Sequence, residues 1–114
     1  MGSTVQEYYE RVDAQDVEGL LTLFAEDAWY ERPGYDRLRG RSALSAFYSE
    51  TRVIESGRHT IGRTVQSGDC VAVEGQFSGR LKDGREVSLR FADFFLLDGG
   101  LIRGRRTYFY APLV

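Results

Sequence analysis

The chain predicts an α+β domain: three N-terminal helices packed on a curved antiparallel sheet, forming a cone with one internal pocket. Three observations carry this. Apolar residues recur at helical spacing through the first half of the chain and at period two through the second half. Ser67-Gly68-Asp69, Lys82-Asp83-Gly84 and Asp98-Gly99-Gly100 divide the second half into strands in series. The 114 residues fit one domain, 1–114, with no repeat, linker or low-complexity tract. Helices followed by strands is the α+β pattern. Helices laid over one face of a curved sheet enclose a wedge where a ligand would sit.

The elements follow in order. Ser3 with Gln6, or Thr4 with Glu7, offers a capping box, and Val5, Tyr8, Tyr9 and Val12 form one helical face behind it. Asp16 caps a second helix with the face Val17, Leu20, Leu21 and Phe24, ending at Glu26-Asp27. Ala28 to Glu31 reads as a short strand, and Pro33-Gly34 breaks it. Gly40 and Ser42 lead into a third helix, with Leu44, Phe47, Tyr48 and Thr51 on one side. Four strands are expected beyond it, His59 to Gln66, Cys70 to Leu81, Glu86 to Leu97 and Leu101 to Ala111, as an antiparallel meander.

Composition narrows the chemistry. A net charge of −2 argues against nucleic-acid binding. No apolar run approaches the roughly 18 residues of a membrane span, and no leader is visible, so a cytoplasmic location is expected. Cys70 and His59 are the only residues of their kinds, which puts a Cys/His zinc site out of reach within one chain. No Gly-rich phosphate loop is present. No cofactor is expected, and chemistry would fall to carboxylates, tyrosines and arginines.

One residue breaks the pattern. Glu86 to Leu97 places Val87, Leu89, Phe91, Asp93, Phe95 and Leu97 on one face, and only Asp93 is charged. A carboxylate in apolar surroundings must be paired, hydrogen-bonded or neutral. A three-residue turn at Asp98-Gly99-Gly100 would set Leu97 opposite Leu101 and Asp93 opposite Arg105. Asp93 is then either an internal ion-pair partner of Arg105 or a neutral acid that donates to a ligand. The other face of the same strand carries Phe94 and Leu96, and the last strand adds Tyr108 and Tyr110. Apolar groups on both sides of a sheet call for cover on both sides. The helices supply one cover, and a second copy of the chain, as a homodimer, is the simplest other.

Leu23-Phe24-Ala25-Glu26-Asp27-Ala28, Pro33, Gly40-Arg41, Ala46-Phe47-Tyr48, Gly100-Leu101-Ile102 and Arg106-Thr107-Tyr108-Phe109 together resemble SnoaL-like proteins. These belong to the nuclear-transport-factor-2-like superfamily, with its cystatin-like cone, and include ketosteroid isomerases, limonene epoxide hydrolases and polyketide cyclases. The resemblance places Tyr8 where the isomerases keep an oxyanion-hole tyrosine and Asp93 where they keep a protonated aspartic acid. Arg32, with Glu31 before it, stands where they keep the general base, and Arg105 where they have an apolar pocket residue. Tyr30 matches a tyrosine of the epoxide hydrolases. Gly75, Phe77 and Thr107 stand near their Asp-Arg-Asp positions, so epoxide hydrolysis is not expected.

The resemblance and the residues together favour a cofactor-independent isomerase, cyclase or dehydratase acting on a small apolar or aromatic carbonyl or phenol. Tyr8 and Asp93 would stabilise an oxyanion, and Glu74 or Glu31 would move the proton. Tyr30, Arg32, Phe47, Phe91, Phe95, Arg105, Thr107 and Phe109 would hold the substrate. The alternative is a non-catalytic ligand-binding or dimerisation module on the same cone. A carboxylate other than Asp93 in the wedge would favour the enzyme; its absence would favour binding.

Overall fold

The computed structural model describes residues 2–111. Helix α1 (Gly2–Asp13) and helix α2 (Val17–Leu21) open the chain. Strand β1 (Phe24–Glu31) and the short β2 (Leu38–Arg39) follow, and then helix α3 (Gly40–Ala46) with a π turn over Phe47–Thr51. The long strands β3 (Ile54–Ser67), β4 (Cys70–Leu81), β5 (Glu86–Asp98) and β6 (Leu101–Phe109) close it. One six-stranded sheet results, in the order β2-β1-β6-β5-β4-β3. The helices cover its inner face, and the core packs between the two layers.

Local signals explain most of the helical layer. Val5, Tyr8, Tyr9 and Val12 are buried against the sheet, as their spacing requires. The helix begins at Gly2, ahead of both candidate caps. The Ser3 side chain lies outside the described residues, and the Thr4 hydroxyl instead donates to the Gly100 carbonyl at 3.1 Å. Asp16 caps α2 as expected, its Oδ1 accepting from Gly19 N–H at 3.0 Å. The π turn closes where Arg52 N–H donates to the Phe47 carbonyl at 2.9 Å, and it buries both Phe47 and Tyr48.

The second helix stops five residues before the expected Glu26. Ile102 N–H donates to the Leu23 carbonyl at 2.7 Å, and Phe24 pairs with Ile102, so β6 captures backbone that the apolar spacing assigns to a helix. β1 runs parallel to β6, which makes the sheet mixed; the other strand pairs are antiparallel. The partners jump from Phe24↔Ile102 to Trp29↔Gly104, a bulge on β1 that buries Phe24, Ala28 and Tyr30 together. Gly104 makes this bulge possible: a Cβ there would lie 2.3 Å from the Trp29 ring.

The β5–β6 register also differs from the expected one. Gly99 and Gly100 both have positive φ and form a two-residue turn between the paired Asp98 and Leu101, as in a type I′ hairpin. A register shift at Leu96/Leu97 follows. Asp93 therefore sits opposite Thr107, and Arg105 opposite Phe95. Thr107 and Arg105 point to the same face, so Arg105 reaches Asp93 along the diagonal.

Candidate functional site

Seven polar side chains meet inside the cone. The Asp93 carboxylate is fully buried and accepts three hydrogen bonds. Tyr9 Oη donates to Oδ2 at 2.5 Å, Arg105 Nη2 to Oδ2 at 2.8 Å, and Thr107 Oγ1 to Oδ1. The single Thr107 proton is spent on Asp93, so Tyr30 must donate across the 2.9 Å Tyr30–Thr107 contact. Arg105 Nη1 donates to Tyr8 Oη at 2.5 Å and to Tyr48 Oη at 3.1 Å, and these two hydroxyls lie 2.6 Å apart. The guanidinium carbon stands 4.7 Å from the Tyr8 ring centre and 4.4 Å from that of Tyr30, so aromatic faces also hold the cation.

The electrostatics follow from this burial. Desolvation pushes the hydroxyls of Tyr8, Tyr9 and Tyr48 above the ordinary tyrosine range, and the Asp93 carboxylate raises Tyr9 further. Burial alone would lower the Arg105 guanidinium. Asp93 and the surrounding tyrosine oxygens outweigh it and hold the group well above its usual value, so it stays charged.

A cavity of about 60 Å³ opens beside this cluster, room for a few water molecules. Ile54, Phe77, Leu81, Leu89, Phe91 and Phe109 supply most of its apolar wall. Its polar lining is Tyr30, Arg32, His59, Arg105 and Thr107, with no carboxylate among the described residues. The two guanidinium groups are incompletely satisfied: the Nε–H of Arg32 and that of Arg105 are buried without an acceptor. The Arg32 guanidinium lies against the rings of Tyr35, Phe47 and Phe109, at 5.3–5.5 Å. The His59 ring packs on Phe77 at 4.8 Å and on Phe91 at 5.4 Å. Its Nδ1 meets Asp13 Oδ1 at 2.6 Å, while Asp13 Oδ2 accepts from the His59 backbone N–H at 2.8 Å.

The SnoaL-like domain model matches residues 5–105, nearly the whole described chain. The chain belongs to the SnoaL-like family. No curated protein matches it. Among solved structures it is similar to a nuclear-transport-factor-2-like protein of unknown function from Burkholderia pseudomallei, at 23% identity over 94% of this chain and 88% of the other, with a TM-score of 0.84. It is likewise similar to a protein of ketosteroid isomerase-like fold from Catenulispora acidiphila, crystallised with trimethylamine, at 24% identity over 92% and 83%, TM-score 0.82. A third is SalBIII, described as an epoxide hydrolase/cyclase-like enzyme in pyran ring formation in the polyether salinomycin, at 24% identity over 94% and 88%, TM-score 0.83. At these identities the likeness concerns the fold.

In this SnoaL-like chain, Tyr30, Arg32, Phe91, Arg105, Thr107 and Phe109 line one cavity, six of the eight substrate-holding candidates. Phe47 and Phe95 are buried behind it in the core. Tyr8 and Asp93 also lie behind it, bound to Arg105 and each other's neighbours rather than presented to a ligand. Tyr9, not Tyr8, is the tyrosine on Asp93. The two candidate bases point elsewhere. Val73 and Gly75 face inward along β4, so Glu74 between them is exposed on the outer face. Glu31 follows the buried Tyr30 and turns outward, where Arg106 Nε and Arg37 Nε reach it at 2.6 and 2.7 Å; the Arg106 hydrogen bond first, then both charges, lower its pKa. His59 meets Asp13 on α1, 46 residues away, a partner that no local pattern in the sequence shows.

Proposed function

We propose that the cavity holds a small, largely apolar molecule by an acidic or carbonyl oxygen, with Arg105 and Arg32 as donors. One observation carries this: an apolar cavity whose polar lining includes two guanidinium groups with Nε–H donors unfilled and, among the described residues, no carboxylate. A buried donor without an acceptor costs about 1–3 kcal/mol, which a ligand oxygen would offset once the guanidinium turns to meet it. The cavity takes the oxygen-bearing head, and the apolar wall toward the exposed Val53 takes the tail. Isomerase, cyclase or dehydratase chemistry through Tyr8, Asp93, Glu74 and Glu31 finds less support. Asp93 already accepts from three protein donors, and neither it nor either glutamate lines the cavity. The same geometry favours the ligand-binding alternative that the sequence left open.

The test is the melting temperature with straight-chain carboxylates from acetate to hexanoate, beside the matching alcohols. A ligand at 100 times its Kd adds about 2.7 kcal/mol. Hexanoate should raise the melting temperature and hexan-1-ol should not, and Arg32→Met should lose most of the hexanoate response. Equal responses to acid and alcohol, or an undiminished response in Arg32→Met, would refute the reading.

A further inference from the structure

We infer that the open edge of β3 takes an extended segment of a partner protein, one that alternates apolar and acidic residues, as an added strand of the sheet. Among the described residues β3 ends the sheet, with β4 on one side only. Helix α1 closes the first part of its free side. Gln15 Nε2 donates to the Glu55 carbonyl at 2.7 Å, and the His59 backbone N–H donates to Asp13 Oδ2 at 2.8 Å. Further along, the edge is open. Gly68 and Asp69 form a two-residue turn that closes on the pair Ser67↔Cys70, so alternation along the antiparallel ladder turns the backbone groups of Gln66 and Thr64 away from β4. Among the described residues no backbone partner meets them on that side. An open groove of about 670 Å³ runs beside this edge, between α1 and β3. Val5, Tyr9, Ile61 and Val73 line it with apolar surface, and Gln6 and Glu10 stand on its helical side. A strand laid along β3 puts every second side chain toward this groove, where apolar groups fit.

Charge decides the occupant. The His59 ring packs inward on Phe77 and Phe91, so its neighbour Arg58 turns to the outer face, opposite Ser78. Past the bulge between Ile61 and Arg63, Arg63 pairs with the outward Glu74 and lies on the same face. Neither arginine forms an ion pair among the described residues. Two copies joined edge to edge about a two-fold axis would set these arginines against their own image, and like charges across strands repel. The edge is therefore guarded against self-pairing, and it suits a strand whose outward residues are acidic. Glu10 on the helical side opposes an acid on the inner face, so acidic and apolar residues have to alternate. Main-chain hydrogen bonds to Thr64 and Gln66 supply affinity, and the alternating side chains supply selectivity.

The probe is a fluorescein-labelled peptide, Ser-Val-Glu-Val-Glu-Val-Glu-Ser, read by fluorescence anisotropy beside the same peptide with lysine for glutamate. The wild type should bind the glutamate peptide about tenfold more tightly, the worth of two opposite-charge cross-strand pairs. Methylating the backbone nitrogens of its valines should abolish binding, because those residues donate to β3. The amide hydrogens of Thr64 and Gln66 should exchange more slowly once the peptide is bound. Arg58→Glu/Arg63→Glu should reverse the preference, and Arg58→Gln/Arg63→Gln, which should erase it, repeats the measurement should the first variant not fold. Equal binding of the two peptides, an unchanged preference in the variants, or no binding of the glutamate peptide at millimolar concentration overturns the inference. Slow exchange at Thr64 and Gln66 before any peptide is added overturns it as well, because a second copy then holds the edge.

Discussion

Breaking the Asp93–Arg105 pair should be among the most damaging single changes available in this chain. Asp93 is wholly buried and the Arg105 side chain is 7% exposed, so neither charge can turn to water when its partner goes. Asp93→Asn keeps the shape but strands a guanidinium among Tyr8, Tyr30, Tyr48 and Phe95. Arg105→Met keeps most of the volume but leaves the carboxylate with Tyr9 and Thr107 alone. Removing one partner of a buried pair costs about 3–5 kcal/mol, a large share of the roughly 5–15 kcal/mol that holds a domain together. With an unfolding entropy of about 2.1 cal/mol/K per residue, that lowers the melting temperature by about 12–20 °C. The assay is urea denaturation of both single variants and of Asp93→Asn/Arg105→Met. The double variant leaves no orphan charge, so its loss should fall about 1–3 kcal/mol short of the summed single losses. Simple additivity would show that the two groups are not coupled.

Two further outcomes follow from the same physics. Tyr8, Tyr9 and Tyr48 hold their protons more tightly folded than unfolded, so stability is complete below about pH 10, the ordinary tyrosine value, and declines as pH rises above it. Absorbance at 295 nm should show these three of the seven tyrosines ionising only with the loss of circular dichroism; all seven titrating in a folded chain would contradict this. The outer sheet face exposes Phe94, Leu96, Tyr108 and Tyr110, at 40–75% of their surface, and as a homodimer seam it predicts twice the chain mass by light scattering. Phe94→Glu should then give a monomer, whereas a monomeric wild type would rule the seam out.

The sequence exposed the sheet better than the helices. Strand β4 runs over the residues expected, and β5 within one residue, because alternation and the glycine turns are both local. The end of α2 was hidden, since Phe24 continues the helical spacing and only β6, nearly 80 residues later, pulls it into a strand. The Asp93–Arg105 pair was one of two readings the sequence left open, and it rested on an incorrect register. Two-residue turn and bulge shift the strands, yet the long guanidinium spans the diagonal. Parity along β4 already turned Glu74 outward, since Val71, Val73 and Phe77 fix the inner face. Tyr9 on Asp93 and Asp13 on His59 depend on how α1 lies across the sheet, which no local pattern encodes.

Arg105 and Arg32 are proposed to receive a ligand oxygen inside the cone. A crystal of the wild-type chain soaked in hexanoate tests it most directly. The predicted result is density in the cavity beside Phe91 and Phe109, with carboxylate oxygens within about 3 Å of the Nε atoms of Arg32 and Arg105. Hexanoate bound only outside the cavity, or both Nε–H groups still without an acceptor beside a bound acid, would contradict it.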